Sequence, residues 1–245
     1  MAFQSVTVFD GVSCNFFFYP SNVPRCKFED TTCLQKAIEE ALFVFKDGSP
    51  KIHMAKVDPL HISGIHIDQG MESPIAVKLN FIDNDLTGLS QITVKKVESF
   101  STEKLDWKLH LLMPRLELYG DYNVSGRVLV LPIVGQGKSN LTIVNTEATA
   151  IIQGRLDAIE KNGKKYHQID NFELDFVPKR LHIYLGNLFN GDKALGDNMN
   201  VFLNENWQDI FNELKPAVQD SFAAVFKELA NRMFKKVSFN DIYLS

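Results

Sequence analysis

The chain has 245 residues, 45% hydrophobic and 23% charged, a composition that supports a packed core and excludes disordered and fibrous classes. Its formal net charge of -4 offers no basic face for phosphate, so nucleic acid is excluded as a partner. No apolar run reaches the ~18–20 residues that a helix needs to cross a bilayer, and no stable membrane insertion is expected.

Met1 to Pro20 lacks a basic start, carries Asp10, and holds only the short apolar run Phe16-Phe17-Phe18-Tyr19. That run is below the roughly 7–15 residues of a signal-peptide core. Residues 1–20 are therefore read as an N-terminal extension, and 21–245 as one domain. Cys26 and Cys33 could close a loop worth roughly 2.5 kcal/mol in chain entropy, with Cys14 left over. From 26 to 48, Leu34, Ala37, Ile38, Ala41, Leu42 and Phe45 recur at helical spacing until Asp47-Gly48-Ser49-Pro50 stops the helix.

From about 57 the period becomes two, with Ile65 and Ile67, then Val77, Leu79 and Phe81 facing one way. Between Leu105 and Val124 the apolar set is odd (Leu105, Trp107, Leu109, Leu111, Met113) and then even (Leu116, Leu118, Tyr122, Val124). A one-residue slip reverses a strand's faces, so this pattern predicts a bulge near Met113-Pro114-Arg115. Asn123-Val-Ser-Gly126 is read as the turn to a next strand, Arg127 to Val134, interrupted by Pro132. Gly135-Gln-Gly137-Lys138 is read as a loop. Further strands follow at 142–156, 168–177 and 180–185, with Lys161-Asn162-Gly163-Lys164 as a hairpin turn. From Asn198 to Val237 a helical apolar stripe predicts one rod of about 58 Å at 1.5 Å per residue, kinked at Pro216.

The six histidines show no metal-ligand spacing, and no G-x-S-x-G elbow is present. No catalytic residue, cofactor or metal ligand is assigned. Asn190-Gly191-Asp192-Lys193 lacks the later ligands of a calcium loop and is read as a turn before the long helix. Asn123-Val-Ser125 and Asn140-Leu-Thr142 are glycosylation sequons.

A set of segments then carries a resemblance: Cys26-x6-Cys33, Val57-Asp58-Pro59-Leu60, Gly120-Asp121-Tyr122, the run Gly126 to Ile133, and above all the run Leu188 to Asp197 followed by Phe202-Leu203-Asn204-Glu205-Asn206-Trp207. Over about Cys26 to Tyr243 the chain resembles the insect takeout and juvenile-hormone-binding-like proteins, tubular lipid-binding domains, and most resembles the takeout branch. The resemblance implies an α+β fold, a strongly curved antiparallel sheet wrapped around a long C-terminal helix. It also implies an apolar tunnel, a Cys26–Cys33 disulfide and secretion. The hormone carriers have a second disulfide, whereas this chain has no cysteine beyond Cys33, so juvenile hormone is not assigned as the ligand.

The function expected is a monomeric, non-catalytic carrier of a long terpenoid, fatty acid or related lipid. Burying about sixteen methylenes at ~0.8 kcal/mol each gives roughly 13 kcal/mol against an association cost of about 4–15. The expected lining is Trp107, Leu109, Leu111 and Met113, their partners Leu129 and Leu131, and Phe211, Leu214, Phe222, Val225 and Phe226 from the helix. The competing reading is an extracellular interaction or signalling protein with a solid core and no ligand.

Overall fold

In the computed structural model the described residues are 20–244, apart from 21, 51–53, 71, 102–103 and 162. The expectations for Cys14, His53 and the segment 1–19 lie outside them. Helix α1 (Thr31–Val44) is followed by strands β1 (Leu60–Asp68), β2 (Ile75–Thr87), β3 (Thr93–Ser99), β4 (Leu105–Val128), β5 (Leu131–Lys161), β6 (Lys164–Val177) and β7 (Arg180–Leu185). Helices α2 (Lys193–Glu205), α3 (Trp207–Phe234) and α4 (Phe239–Ile242) close the chain. The strands form one antiparallel sheet in the order β1-β2-β4-β5-β6, with β3 added to β4 and β7 to β5. A large antiparallel sheet with a long C-terminal helix and a short N-terminal one is the architecture the sequence implies.

The spine is the hairpin of β4, 24 residues long, and β5, 31 residues long. It stays in one register from Leu105↔Gly154 to Val128↔Leu131. This revises three sequence expectations. The turn lies at Leu129-Val130, not at 123–126, because Asn123, Ser125 and Gly126 all pair with β5. The Gly135–Lys138 segment is strand and not loop: a Cβ on Gly135 would stand 2.8 Å from a methyl of Leu188 and 2.9 Å from the Tyr122 hydroxyl. Glycine here admits a close approach of Leu188, which bridges to Gly135.

The third revision concerns the face reversal, which occurs without an inserted residue. Burial in β4 does switch from odd to even positions after Met113. Pro114 and Asn145 stand opposite each other between the pairs Met113↔Thr146 and Arg115↔Val144, and Asn145 takes a φ of 48°. Proline has no N–H to lose from a ladder, and asparagine tolerates the left-handed region, so both strands reverse face together. Register shifts occur instead where β2 and β3 join β4, between Ile82 and Asp85 and between Val94 and Lys96.

The helical segments also differ from a single rod. Asp192 caps α2 by accepting from Leu195 N at 3.0 Å, which starts the helix before Asn198. At Asn206 (φ -106°, ψ 20°) the side-chain amide donates to Phe202 O at 2.8 Å, and a new helix begins at Trp207. An asparagine amide that competes for the local carbonyl ends a helix. Helix α3 then runs unbroken through Pro216. Helix α1 is shorter than expected, started by Asp30, whose carboxylate accepts from Cys33 N at 2.9 Å.

The outer edges of β6 and β7 are met by side chains at Ile169, Ile183 and Leu185. Asn200 accepts from Leu185 N and donates to Leu185 O, both at 2.9 Å. One turn later, Asn204 accepts from Ile183 N at 3.0 Å and donates to Ile183 O at 2.6 Å. On α3, Asn231 accepts from Ile169 N at 2.8 Å and donates to Ile169 O at 2.9 Å. Each carboxamide acts as one more peptide unit beside a strand whose N–H and C=O would otherwise be open. Asp58 caps another exposed set, accepting from Gly88 N and Ser90 N at 2.9 Å and from the Ser90 hydroxyl at 2.6 Å. The disulfide joins Cys26 and Cys33, and Leu244 N donates to Cys26 O at 2.9 Å, tying the segment before α1 to the C-terminal end.

Replacing Asn231 by Leu leaves the Ile169 peptide with an unmet donor and acceptor, at about 1–3 kcal/mol for each buried group. Urea unfolding is expected to show a loss of at least ~2 kcal/mol for Asn231→Leu, and about half of it recovered by Asn231→Gln.

Candidate functional site

The face reversal at Pro114 divides the interior in two. On one side, Trp107, Leu109 and Leu105 pack with Phe28, Phe234 and Tyr243. Phe28 lies 5.6 Å from Trp107 and meets Tyr243 edge-on at 5.3 Å, and the fully buried His167 is ringed by Phe234, Phe239 and Tyr243 at 5.3–5.4 Å. On the other side lies a cavity of about 170 Å³, whose lining residues are all aliphatic, methionine or phenylalanine. No lining residue offers a hydrogen bond or a charge, so the site can take up apolar surface but has no group for proton transfer or nucleophilic attack.

Sheet and helices both place the walls. Ile65 and Ile67 come from β1, and Val77 and Phe81 from β2. After the reversal β4 supplies Leu116, Leu118, Val124 and Val128, and β5 supplies Ile143 and Leu141, which pair with Leu116 and Leu118 across the hairpin. Leu174 and Phe176 come from β6. Strand β7 supplies Leu181, Ile183 and Leu185, all on one face of a period-two strand. The roof is Leu203 of α2 with Ile210, Phe211, Leu214, Val218, Phe222 and Phe226 of α3.

Of the residues expected from the sequence, Met113, Phe211, Leu214, Phe222 and Phe226 line this cavity. Trp107 and Leu109 do not, because they pack with Phe28 and the other aromatic side chains of the solid half. Leu111 sits partly buried between the two halves. Leu129 is in the hairpin turn with φ 55°, and Leu131 beside it is 37% exposed. Val225 packs against the core from α3 without reaching the cavity. The β1, β2 and β7 residues were visible as alternation, but alternation does not say which apolar face closes over a void. The sequon residues Asn123 and Asn140 lie in paired strands, Asn123 accepting from Asn80 at 2.7 Å and Asn140 donating to Glu117 at 2.6 Å.

Two polar groups border this half. The Tyr122 hydroxyl donates to Gly186 O at 2.9 Å, and burial, with a smaller contribution from Tyr184, pushes its pKa up to about 12. It stays neutral at physiological pH. Asp175 on β6 binds α3 through Lys215 Nζ and Gln219 Nε2, both at 2.7 Å, and these hydrogen bonds hold its pKa below the ordinary 3.8. Among the described residues no group of three or more His, Cys, Asp or Glu is placed to hold a metal, and no helix is long and apolar enough to cross a membrane.

The model of the haemolymph juvenile hormone binding protein family matches residues 5–244. The chain belongs to this family. Similar proteins include the circadian clock-controlled protein daywake of Drosophila melanogaster, 28% identical over 231 residues that cover 92% of this chain and 88% of that one. The daywake protein of Drosophila yakuba is 26% identical with the same coverage. Takeout 1 of Epiphyas postvittana, a crystal structure, superposes with a TM-score of 0.79 at 24% identity, covering 90% of this chain and 99% of that one. The takeout structure shares the fold.

Two outcomes follow from this geometry. In the lipid-free protein Leu118→Phe is expected to fill void and leave the calorimetric melting temperature unchanged or raised, whereas Leu109→Phe overpacks the solid half and costs about 1–3 kcal/mol. Asp175, with its depressed pKa, contributes stability that is complete above the unfolded value of 3.8 and is lost as pH falls through the folded value. Asp175→Asn is therefore expected to flatten the stability profile below pH ~4, measured by urea unfolding across pH.

Proposed function

We propose that the protein is a non-catalytic, extracellular carrier that encloses a long hydrophobic small molecule, a terpenoid, fatty acid or related lipid, in an internal tunnel centred on this cavity. One observation carries the reading: a cavity of about 170 Å³ between sheet and helices is lined by apolar side chains alone. A protein interior is normally filled to crystal density, so a void of this size between a sheet and a helix is a cost that a bound apolar chain removes. Phe211, Leu214, Phe222 and Phe226 would contact the ligand from the helix side, and Met113, Ile65, Leu118 and Ile183 from the sheet side. Membership in a family described from haemolymph supports a place outside the cell, as does the Cys26–Cys33 disulfide.

The direct test is extraction of the purified protein into organic solvent followed by mass spectrometry. A near-stoichiometric apolar compound is expected, and its absence, together with no fluorescence gain from N-phenyl-1-naphthylamine titrated into lipid-free protein, would overturn the carrier reading. Leu118→Phe is expected to weaken uptake of that probe at least tenfold.

A further inference from the structure

The β4–β5 hairpin ends in a turn whose composition runs against the usual chemistry of two-residue turns. Such turns need positive φ and favour Asn or Gly, yet this one is Leu129-Val130, with Leu129 held at φ 55°. Its amide donates to Pro74 O at 2.8 Å, which fixes the tip against the start of β2. Val130 is 84% exposed and Leu131 beside it 37%, and further along β5, opposite Ser125, Val134 is exposed as well. A large side chain in the left-handed region is strained, and strain of this kind collects where function requires it.

The tip continues the cavity wall. Val128, the last paired residue of β4, lines the cavity, and so does Ile133 on β5. Leu131 pairs with Val128 and shares a face of β5 with Ile133, two residues further along. An apolar track therefore runs from the cavity through Ile133 and Leu131 to Val130 in solvent. Three exposed apolar side chains at and near the turn fall far short of the roughly 20–30 residues per side of a stable protein interface. So small an apolar patch suits a deformable acyl layer better than a rigid complement. The net charge of -4 disfavours an anionic surface.

We infer that the Leu129–Val134 tip is a membrane-docking lip, which dips Val130 and Leu131 into a zwitterionic lipid surface so that an apolar ligand passes between bilayer and cavity without crossing water. The docking part stands independently of the carrier reading, and the ligand passage rests on it.

The test uses the full chain and vesicles of dioleoylphosphatidylcholine. Wild type is expected to float with the vesicles, Val130→Asp to partition at least tenfold less, and Val130→Trp to partition more, with melting temperatures within about 2 °C of wild type. Val177→Asp serves as a control, since Val177 is exposed and pairs with Glu147, sixteen residues along β5 from Leu131. It is expected to partition as wild type does. Transfer of N-phenyl-1-naphthylamine from vesicles to protein should slow at least fivefold in Val130→Asp, with the probe's equilibrium affinity unchanged within twofold. Failure of wild type to float, equal flotation of Val130→Asp, an equal loss in Val177→Asp, or unchanged transfer would overturn the lip. A wild-type dimer in light scattering that Val130→Asp converts to monomer would overturn it too, by assigning the tip to a second copy. Flotation without probe binding by wild type would leave docking intact and remove the carrier reading instead.

Discussion

The placement of this protein's helices over its sheet depends on carboxamides that bind them to the sheet's edge. Asn200, Asn204 and Asn231 each exchange two hydrogen bonds with the N–H and C=O of one strand residue, so α2 and α3 are located by directional polar contacts at β7 and β6. Hydrophobic attraction is non-directional and would draw the helices down until the void closed. Edge pairing fixes how close they come. The same bonds remove the open strand edge that would otherwise invite pairing with another chain. Lys215 and Gln219, which hold Asp175, add a second tether along α3.

The second determinant is the reversal of faces at Pro114 and Asn145. A strand of 24 residues cannot keep one face on the same core while its sheet curls, and here both strands of the spine change sides together. Before the reversal the inner face meets the aromatic cluster of Phe28, Trp107, Tyr243 and His167 and is solid. After it, the inner face carries Leu116, Leu118, Val124 and Val128, which line the cavity under α3. One half thus supplies cohesion and the other keeps an unfilled space.

That space has an energetic consequence. At about 24 cal/mol per Å³, a void of about 170 Å³ costs on the order of 4 kcal/mol, a large part of a domain's net stability. Anything that fills the void stabilises the fold by mass action, so occupancy and stability are coupled. The apolar lining also sets a selection rule. An ionised headgroup finds no partner inside and must stay outside or be neutralised.

The sequence by itself determined the class of fold and most of its elements, Gly135–Lys138 and the break at Asn206 excepted. Alternation in β1, β2 and β7, the odd-to-even change in β4 and the long apolar stripe of the C-terminal helices were all readable, because each is a local periodicity. The segments around Leu188–Asp197 and Asn204–Trp207 were distinctive in the sequence, and their roles as turn, cap and edge clamp are seen in three dimensions. Only the tertiary structure decided how the face change is made, where the spine turns, and which apolar face borders space. Register is a property of two strands, and Pro114 shows its counterpart Asn145 only when they pair. Whether an apolar side chain meets a neighbour or a void depends on the separation of sheet and helix, which is set by contacts as distant in sequence as Ile169 and Asn231. For that reason Trp107 and Leu109, apolar and inward like Leu116 and Leu118, belong to the solid half while the latter pair lines the cavity.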